Sequence, residues 1–145
     1  RGYDYAVEFR HPSWHTEEAW EILRHFNIAA VIADTPSQSN YLSEFIVTAN
    51  HSFIRWDGKN IHHLYNYLYS IEELRFWCKK AKELQAETLV LRGYFNNHYA
   101  GKSVINALQF KDEFGNFLSD KEKKALKHGL SYLRHNNVEL SSLFE

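Results

Sequence analysis

An acid and a base share one side of the first predicted strand of this sequence. Glu8 and Arg10 stand two residues apart near the end of a short apolar run that Pro12 stops. Because side chains alternate along a strand, Glu8 and Arg10 point to one face while Val7 and Phe9 point to the other. Unpaired charges are costly away from water, so this pair predicts a mutual ion pair, a solvated site or a ligand contact.

Polar side chains also mark the ends of three further apolar runs, at residues 28–33, 52–56 and 88–95. In a parallel sheet, ligands bind beyond the carboxyl ends of the strands. We therefore predict that the four strand ends converge on one rim. The residues at the three further ends are Asp34, then Arg55 and Asp57, then Asn96, Asn97 and His98.

Helical patterns separate these runs and position them. Thr16 is a predicted N-cap ahead of two glutamates, and capping boxes at Ser70 and Glu73 and at Ser119 and Glu122 precede two later helices. Strands that alternate with helices imply right-handed crossovers and a parallel sheet. The predicted fold class is therefore α/β, built from the parallel βα units of a barrel or an open sheet.

Three further segments carry local predictions. A helix is expected from about residue 101 to residue 114, with Val104, Ile105, Ala107 and Leu108 on its buried side because these residues recur at helical spacing. Residues 46–48 are a weaker candidate for a short extended segment. The region from residue 37 to residue 45 has no periodicity and is predicted to be a loop.

Composition predicts a single domain over residues 1–145. A chain of this length with 44% apolar and 16% aromatic residues has enough material for a core. Its 17 basic and 18 acidic residues leave a net charge of −1, which excludes global steering toward nucleic acid or an anionic membrane. Cys78 is the single cysteine, and no apolar run reaches membrane length. We therefore predict a cytoplasmic protein with no membrane partner.

Five motifs in a fixed order carry a resemblance to a known family. They are AVEFRHPSW at residues 6–14, ADTP at 33–36, FIRWDG at 53–58, YSIEEL at 69–74 and YFNNH at 94–98. Together they resemble the YecE-like proteins, the family called domain of unknown function 72 (DUF72). The resemblance covers nearly the whole chain, up to roughly the last helix.

The resemblance implies a TIM-like (β/α) barrel without an assigned activity. It also implies that this chain corresponds to the carboxyl-terminal half, a half-barrel with four main strands, since the Gly-Trp and Asn-Ser-Thr-Phe-Tyr type motifs of the family's opening strands have no counterpart here. Two residues depart from the family pattern. Asp57 stands where histidine is common and Arg92 where an apolar residue is common, so a ligand set that needs that histidine does not carry over.

Each candidate residue also has a structural interpretation. Glu8 and Arg10 are typical of a buried ion pair completed by Arg55 or Arg92. The alternatives for the other residues are a turn acid for Asp34, helix caps for Asn96 and Asn97, an exposed position for His98, and packing for Tyr65, Tyr67, Tyr69 and Cys78.

A metal site is predicted only as an assembly from separate strands. The sequence has nine histidines but neither a His-Glu-x-x-His nor a Cys-x-x-Cys motif. Glu8, Asp34 and His98 at strand ends would suit a divalent metal that activates water on a phosphoester.

Three functional hypotheses follow. The first is an enzyme, such as a metal-assisted phosphoester hydrolase, with Glu8, Asp34 and His98 as catalytic residues. The second is a non-catalytic module that binds nucleic acid or a phosphorylated metabolite. The third is an inactive half-barrel that self-associates through exposed sheet edges. The residues expected to bind substrate or ligand are Arg10, Trp14, Arg55, Asn96 and Asn97.

Overall fold

The computed structural model describes residues 2–36, 44–63 and 65–136 of the chain. In these residues, β-strands alternate with α-helices. The strands are β1 (Tyr5–Val7), β2 (Ile28–Asp34), β3 (His51–Trp56) and β4 (Val90–Phe95). The helices are α1 (Glu17–Phe26), α2 (Ile71–Glu87), α3 (Lys102–Glu113) and α4 (Asp120–His135), with short 3-10 turns at Pro12–Trp14 and Tyr99–Gly101.

The strands form a parallel sheet in the order β1-β2-β3-β4. Parallel neighbours need crossover connections, and α1 makes the crossover from β1 to β2 while α2 makes the one from β3 to β4. A strand order that follows the chain order is the arrangement of a barrel segment. The prediction of an α/β fold with a partial barrel is confirmed. No helix in the described residues is long and apolar enough to cross a membrane.

The helices cover one face of the sheet. Ile54 and Trp56 of β3 pack against Trp77 of α2, and Ala30 of β2 packs with Trp20 of α1. Because successive residues of a strand point to opposite sides, the residues between them point away from the helices. We call that second side the inner face, since it corresponds to the interior of a complete barrel.

The helix ends follow the local sequence signals. Thr16 caps α1, because its hydroxyl accepts a hydrogen bond from the backbone N–H of Ala19 at 3.3 Å. In both predicted capping boxes, the serine and the glutamate exchange hydrogen bonds with each other's backbone N–H. These boxes lie at Ser70 and Glu73 and at Ser119 and Glu122.

The buried side of α3 differs from the predicted one. Ile105 is buried as expected, but Val104 is 60% exposed and Ala107 is also exposed, so the predictions for these two residues are wrong. Asn106 is fully buried instead. Its side chain accepts from the backbone N–H of Tyr69 at 3.0 Å and donates to the carbonyl of Tyr69 at 3.1 Å. These two bonds offset the cost of burying an amide.

Residues 46–48 form no strand. The hydroxyl of Thr48 donates to the carbonyl of Ile28 at 2.7 Å and accepts from the N–H of Ala30 at 2.8 Å. A side chain therefore satisfies two backbone groups of β2 that the backbone of a neighbouring strand would otherwise satisfy.

Candidate functional site

The polar residues at the carboxyl ends of the strands form two groups. The first group, which we call the rim network, lies on the inner face and consists of Glu8, Arg10, Arg55, Asp57 and Asn96. The second group lies toward α2. We call it the Asp34 cluster, and it consists of Asp34, Lys59, Tyr67, Tyr69, Glu73 and Trp77.

A continuous chain of ion pairs and hydrogen bonds joins the rim network. Glu8 accepts from Arg10 Nε at 3.0 Å through one carboxylate oxygen and from Arg55 Nη1 at 2.5 Å through the other. Arg55 Nη2 also donates to Asp57 Oδ2 at 2.7 Å. Asn96 Nδ2 donates to Asp57 Oδ1 at 3.0 Å. Glu8, Arg55 and Asp57 are therefore each held from two sides.

Strand alternation and one small residue bring Glu8 and Arg55 together. Val7 packs toward α1, which turns the next residue, Glu8, to the inner face. β2 lies between β1 and β3, and the residue of β2 in register with Arg55 is Ala33. Because Ala33 carries only a methyl group, the two long side chains meet across β2. The ion pair also confirms that Glu8 and Arg10 share a face.

The rim network is balanced in charge and opens on one side. It contains two guanidinium groups and two carboxylates. Side-chain exposure is 68% for Arg10, 20% for Arg55, 14% for Glu8 and 8% for Asp57. Arg10 is therefore the charged group of this network that a solute meets first, and Arg55 lies behind it in a more shielded environment.

Asp34 ends β2 on the side of the sheet that α2 covers. Its Oδ2 accepts from Trp77 Nε1 at 3.2 Å, and a further bond comes from the hydroxyl of Tyr69, which itself accepts from the N–H of Gly58 at 2.9 Å. Ile32 packs toward α2, so alternation turns Asp34 the same way. The carboxyl end of β2 lies at the same edge of the sheet as the end of β3, but the side chain of Asp34 does not join the rim network.

The Asp34 cluster contains groups whose pKa values depart from their usual ones. Burial raises the pKa of the Asp34 carboxyl, and the charge of Lys59 and the hydrogen bonds offset part of that rise. Burial and the nearby Asp34 carboxylate raise the pKa of the Tyr69 hydroxyl. For Glu73, burial would raise the pKa, but hydrogen bonds from Lys59, a backbone N–H and Tyr67 outweigh burial and lower it.

Three other predicted site residues make contacts of a different kind. Asn97 is fully buried and donates to a backbone carbonyl and to a side-chain amide of α3, both at 2.8 Å. His98 is exposed, and its ring stacks on Tyr65 with 5.2 Å between centroids. Trp14 stacks on Phe9 with 5.4 Å between centroids, and Phe9 packs toward α1. These contacts favour packing as the role of Asn97 and place Trp14 on the helix side.

No arrangement of three or more His, Cys, Asp or Glu side chains suited to a metal ion occurs in residues 2–36, 44–63 and 65–136. Glu8 and Asp34 lie on opposite faces of the sheet, and His98 lies in an exposed stack beyond β4. The structure therefore does not assemble Glu8, Asp34 and His98 into the predicted ligand group.

The sequence analysis places Asp57 at the predicted rim but not among the residues expected to bind a ligand, and it does not identify the partners of Asp34. Asp57 had a usable signal, because Arg55-x-Asp57 repeats the two-residue spacing of Glu8 and Arg10 and so puts both side chains on one face. Trp77 had none, since it lies 43 residues from Asp34 in the chain.

Comparison with known proteins agrees with this fold. A match to the family described as "Protein of unknown function DUF72" extends over residues 1–128. A search of curated proteins finds no significant match. The crystal structure of a DUF72 family protein from Thermotoga maritima MSB8 is 38% identical in sequence, with a TM-score of 0.71. The similarity covers 76% of this chain and 45% of that one.

Two crystal structures of a DUF72 family protein from Enterococcus faecalis V583 are also similar. They are 21% and 22% identical, with TM-scores of 0.73 and 0.72. Each match covers 82% of this chain, and 50% or 51% of the other. At 21% and 22% sequence identity, these two structures show a similarity of fold and nothing about function. This chain spans about half the length of the solved relatives that it matches.

Proposed function

This chain belongs to the DUF72 family, whose function is not established, and we propose that its rim network binds the phosphate group of a small ligand. The observation that carries the proposal is the shared carboxylate: Arg10 and Arg55 donate to opposite oxygens of Glu8. A guanidinium group presents several donors in one plane, which matches the oxygens of a phosphate. Two such groups held beside one carboxylate form a preorganised pair of donors.

The position of the network in the fold supports a ligand role. It lies at the carboxyl ends of β1, β3 and β4, where ligands bind in barrels and in open parallel sheets. The exposed Arg10 provides first contact, and the 20% exposure of Arg55 leaves it in an environment where electrostatic attraction is less screened than in water.

The charge balance of the network favours a small ligand over a polyanion. Two carboxylates offset two guanidinium groups, and the whole chain has a net charge of −1. Binding to nucleic acid draws most of its strength from an excess of positive charge, and this composition does not supply one. A phosphate group instead competes with Glu8 for donors that are already in place.

The first test is titration with inorganic phosphate and with glycerol phosphate, followed by calorimetry. Arg10→Gln should weaken binding about tenfold, because it removes charged hydrogen-bond donors. Arg75→Gln is the matched control, since Arg75 is 62% exposed and is also paired with a glutamate, Glu113. Equal effects of the two substitutions would contradict the proposal, as would a failure of the unchanged chain to bind either compound.

A second pair of variants tests the competition. Glu8→Gln should strengthen phosphate binding, because it removes the negative charge that shares the same donors. Asp34→Asn makes the same chemical change on the opposite face of the sheet and should leave phosphate binding unchanged. A single-stranded oligonucleotide that binds more tightly than glycerol phosphate would instead favour nucleic acid as the ligand.

Phosphoester hydrolysis at the same network is a second candidate function. The observation that favours it is the position of Glu8 between Arg10 and Arg55, where a carboxylate next to a bound phosphoester is placed to accept a proton from an attacking water. The assay is release of nitrophenol from p-nitrophenyl phosphate and its diester, with and without added Mg²⁺. Glu8→Gln should abolish turnover while phosphate binding persists. If the unchanged chain shows no turnover, hydrolysis is contradicted and phosphate binding is the only one of the two proposed functions that remains.

We also propose a cytoplasmic location. The support is the single cysteine of the chain, Cys78, which is free and buried in α2. Proteins of oxidising compartments commonly depend on disulfides, whereas reducing compartments keep thiols free.

A further inference from the structure

The inner face of the sheet carries a pair of aromatic rings beside the rim network. Phe53 of β3 and Tyr94 of β4 stack with 4.8 Å between ring centroids and 11° between ring planes. Phe95 packs in the core between the sheet and α2, so strand alternation turns Tyr94 to the inner face. Tyr94 is also in register with Arg55. The Tyr94 ring therefore starts from the same level of the sheet as an arginine of the rim network, one strand away.

Tyr94 leaves part of its ring surface open. The residue is 53% exposed, whereas Phe53 is half-buried and covers one side of the Tyr94 ring. Stacked aromatic rings attract each other, so Phe53 fixes the orientation of its neighbour. An aromatic ring held in this way stacks planar groups of a ligand, above all nucleobases. The described part of the inner face therefore places a stacking surface beside two guanidinium groups.

We propose that the rim network and Tyr94 together bind a nucleoside monophosphate, with its phosphate on Arg10 and Arg55 and its base on the Tyr94 ring. This inference rests on the phosphate site proposed above and adds the class of the rest of the ligand. The two arginines are the cations of the rim network, and two carboxylates offset them. A longer phosphate chain adds negative charge that no further cation of the network meets, so the network favours a single phosphate.

The spacing of the two surfaces favours a sugar between the phosphate and the base. Arg10 and Arg55 meet Glu8 across β2, and β4 lies two strands from β2. Neighbouring strands are about 4.8 Å apart, so the two surfaces start from backbone positions separated by roughly 10 Å. A ring bonded directly to a phosphate is too short for this separation, whereas a ribose extends the ligand across it.

Asn96 provides a polar contact for such a sugar. Its Nδ2 donates to Asp57 Oδ1 at 3.0 Å, which joins Asn96 to the rim network, and it follows Tyr94 by two residues. Because the amide nitrogen faces Asp57, the amide oxygen faces away from that carboxylate. An amide oxygen accepts hydrogen bonds, so this one is placed to accept from a ribose hydroxyl between the phosphate and the base.

The test is calorimetric titration of the 145-residue chain with adenosine monophosphate, glycerol phosphate, phenyl phosphate and adenosine. Adenosine monophosphate should bind about tenfold more tightly than glycerol phosphate, because it adds base stacking. Tyr94→Ala should remove that advantage and leave glycerol phosphate binding unchanged, while Tyr94→Phe should keep it. Tyr132→Ala is the matched control, since Tyr132 is 51% exposed on α4 and should affect neither compound.

The outcomes separate this inference from the phosphate site on which it rests. If glycerol phosphate binds in an Arg10-dependent way and adenosine monophosphate binds no more tightly, the phosphate site stands and the nucleoside is overturned. Binding of adenosine monophosphate that is equal in the unchanged chain and in Tyr94→Ala would also overturn it. Phenyl phosphate that binds as tightly as adenosine monophosphate would refute the sugar. A chain that binds none of the phosphates would overturn both proposals.

Discussion

Glu8 and Asp34 are carboxylates at the ends of adjacent strands, yet they have opposite surroundings. Glu8 lies on the inner face, and its hydrogen-bonding partners are the guanidinium groups of Arg10 and Arg55. Asp34 lies on the helix-covered side and accepts from the neutral donors of Trp77 and Tyr69. One carboxylate therefore belongs to a charged network open to solutes, and the other helps to hold α2 against the sheet.

The difference comes from strand parity. A shift of one residue along a strand moves a side chain from one face to the other. Glu8 directly follows Val7, which packs toward α1, so Glu8 points to the inner face. Asp34 lies two residues after Ile32, which packs toward α2, so Asp34 points toward α2 as well. In this chain, of these two acids only Glu8, which lies on the inner face, joins the rim network.

Removal of Arg55 gives the largest effect expected from this comparison. Arg55→Ala deprives Glu8 and Asp57 of the cation that joins them, and these side chains are only 14% and 8% exposed. Leaving partly buried carboxylates without that cation should cost about 3 kcal/mol of the free energy of unfolding. Urea denaturation at a single protein concentration measures this loss.

The matched control is Arg92→Ala. Arg92 pairs with Asp4 at 2.8 Å on the same sheet, but the two side chains are 38% and 44% exposed. A solvated pair of this kind contributes less than about 1 kcal/mol. Similar losses for the two variants would mean that the rim network is an ordinary surface ion pair and not a preorganised site.

Sequence predicted the features that depend on neighbouring residues. The caps at Thr16, Ser70 and Ser119 follow from side-chain and backbone groups three residues apart. The shared face of Glu8 and Arg10 follows from the two-residue period of a strand. Such features need no knowledge of the rest of the fold.

The features that sequence missed depend on contacts between distant segments. β2 is apolar on both faces from Ile28 to Ala33, so its pattern does not tell which face is inner and does not reveal that Asp34 points toward α2 and away from Glu8. The burial of Asn106 depends on the backbone of Tyr69, which lies 37 residues away. A hydrophobic pattern scores asparagine as polar and so selected Val104 instead.

The smallest expected effect is a dependence of stability on pH that originates at Asp34. Burial raises the folded-state pKa of Asp34 above its usual 3.8. At a pH between 3.8 and the raised folded-state pKa, Asp34 therefore binds more protons in the folded state than in the unfolded state. The stability contributed by this group is full below pH 3.8 and is lost as the pH rises through the raised folded-state pKa. Asp34→Asn removes the titration. The unfolding free energy of the wild type minus that of the variant should therefore fall as the pH rises.

Glu122→Gln is the control of opposite sign. Hydrogen bonds from Lys111 and Ser119 lower the pKa of Glu122 to about 2 from its usual 4.5, so its contribution is full above pH 4.5 and is lost as the pH falls toward about 2. The unfolding free energy of the wild type minus that of the Glu122→Gln variant should therefore rise as the pH rises from about 2 to 4.5. Urea denaturation at a series of pH values gives both slopes. Slopes of the same sign would show that Asp34 is not desolvated by the helix layer, and the distinction between the two carboxylates would then lose its physical basis.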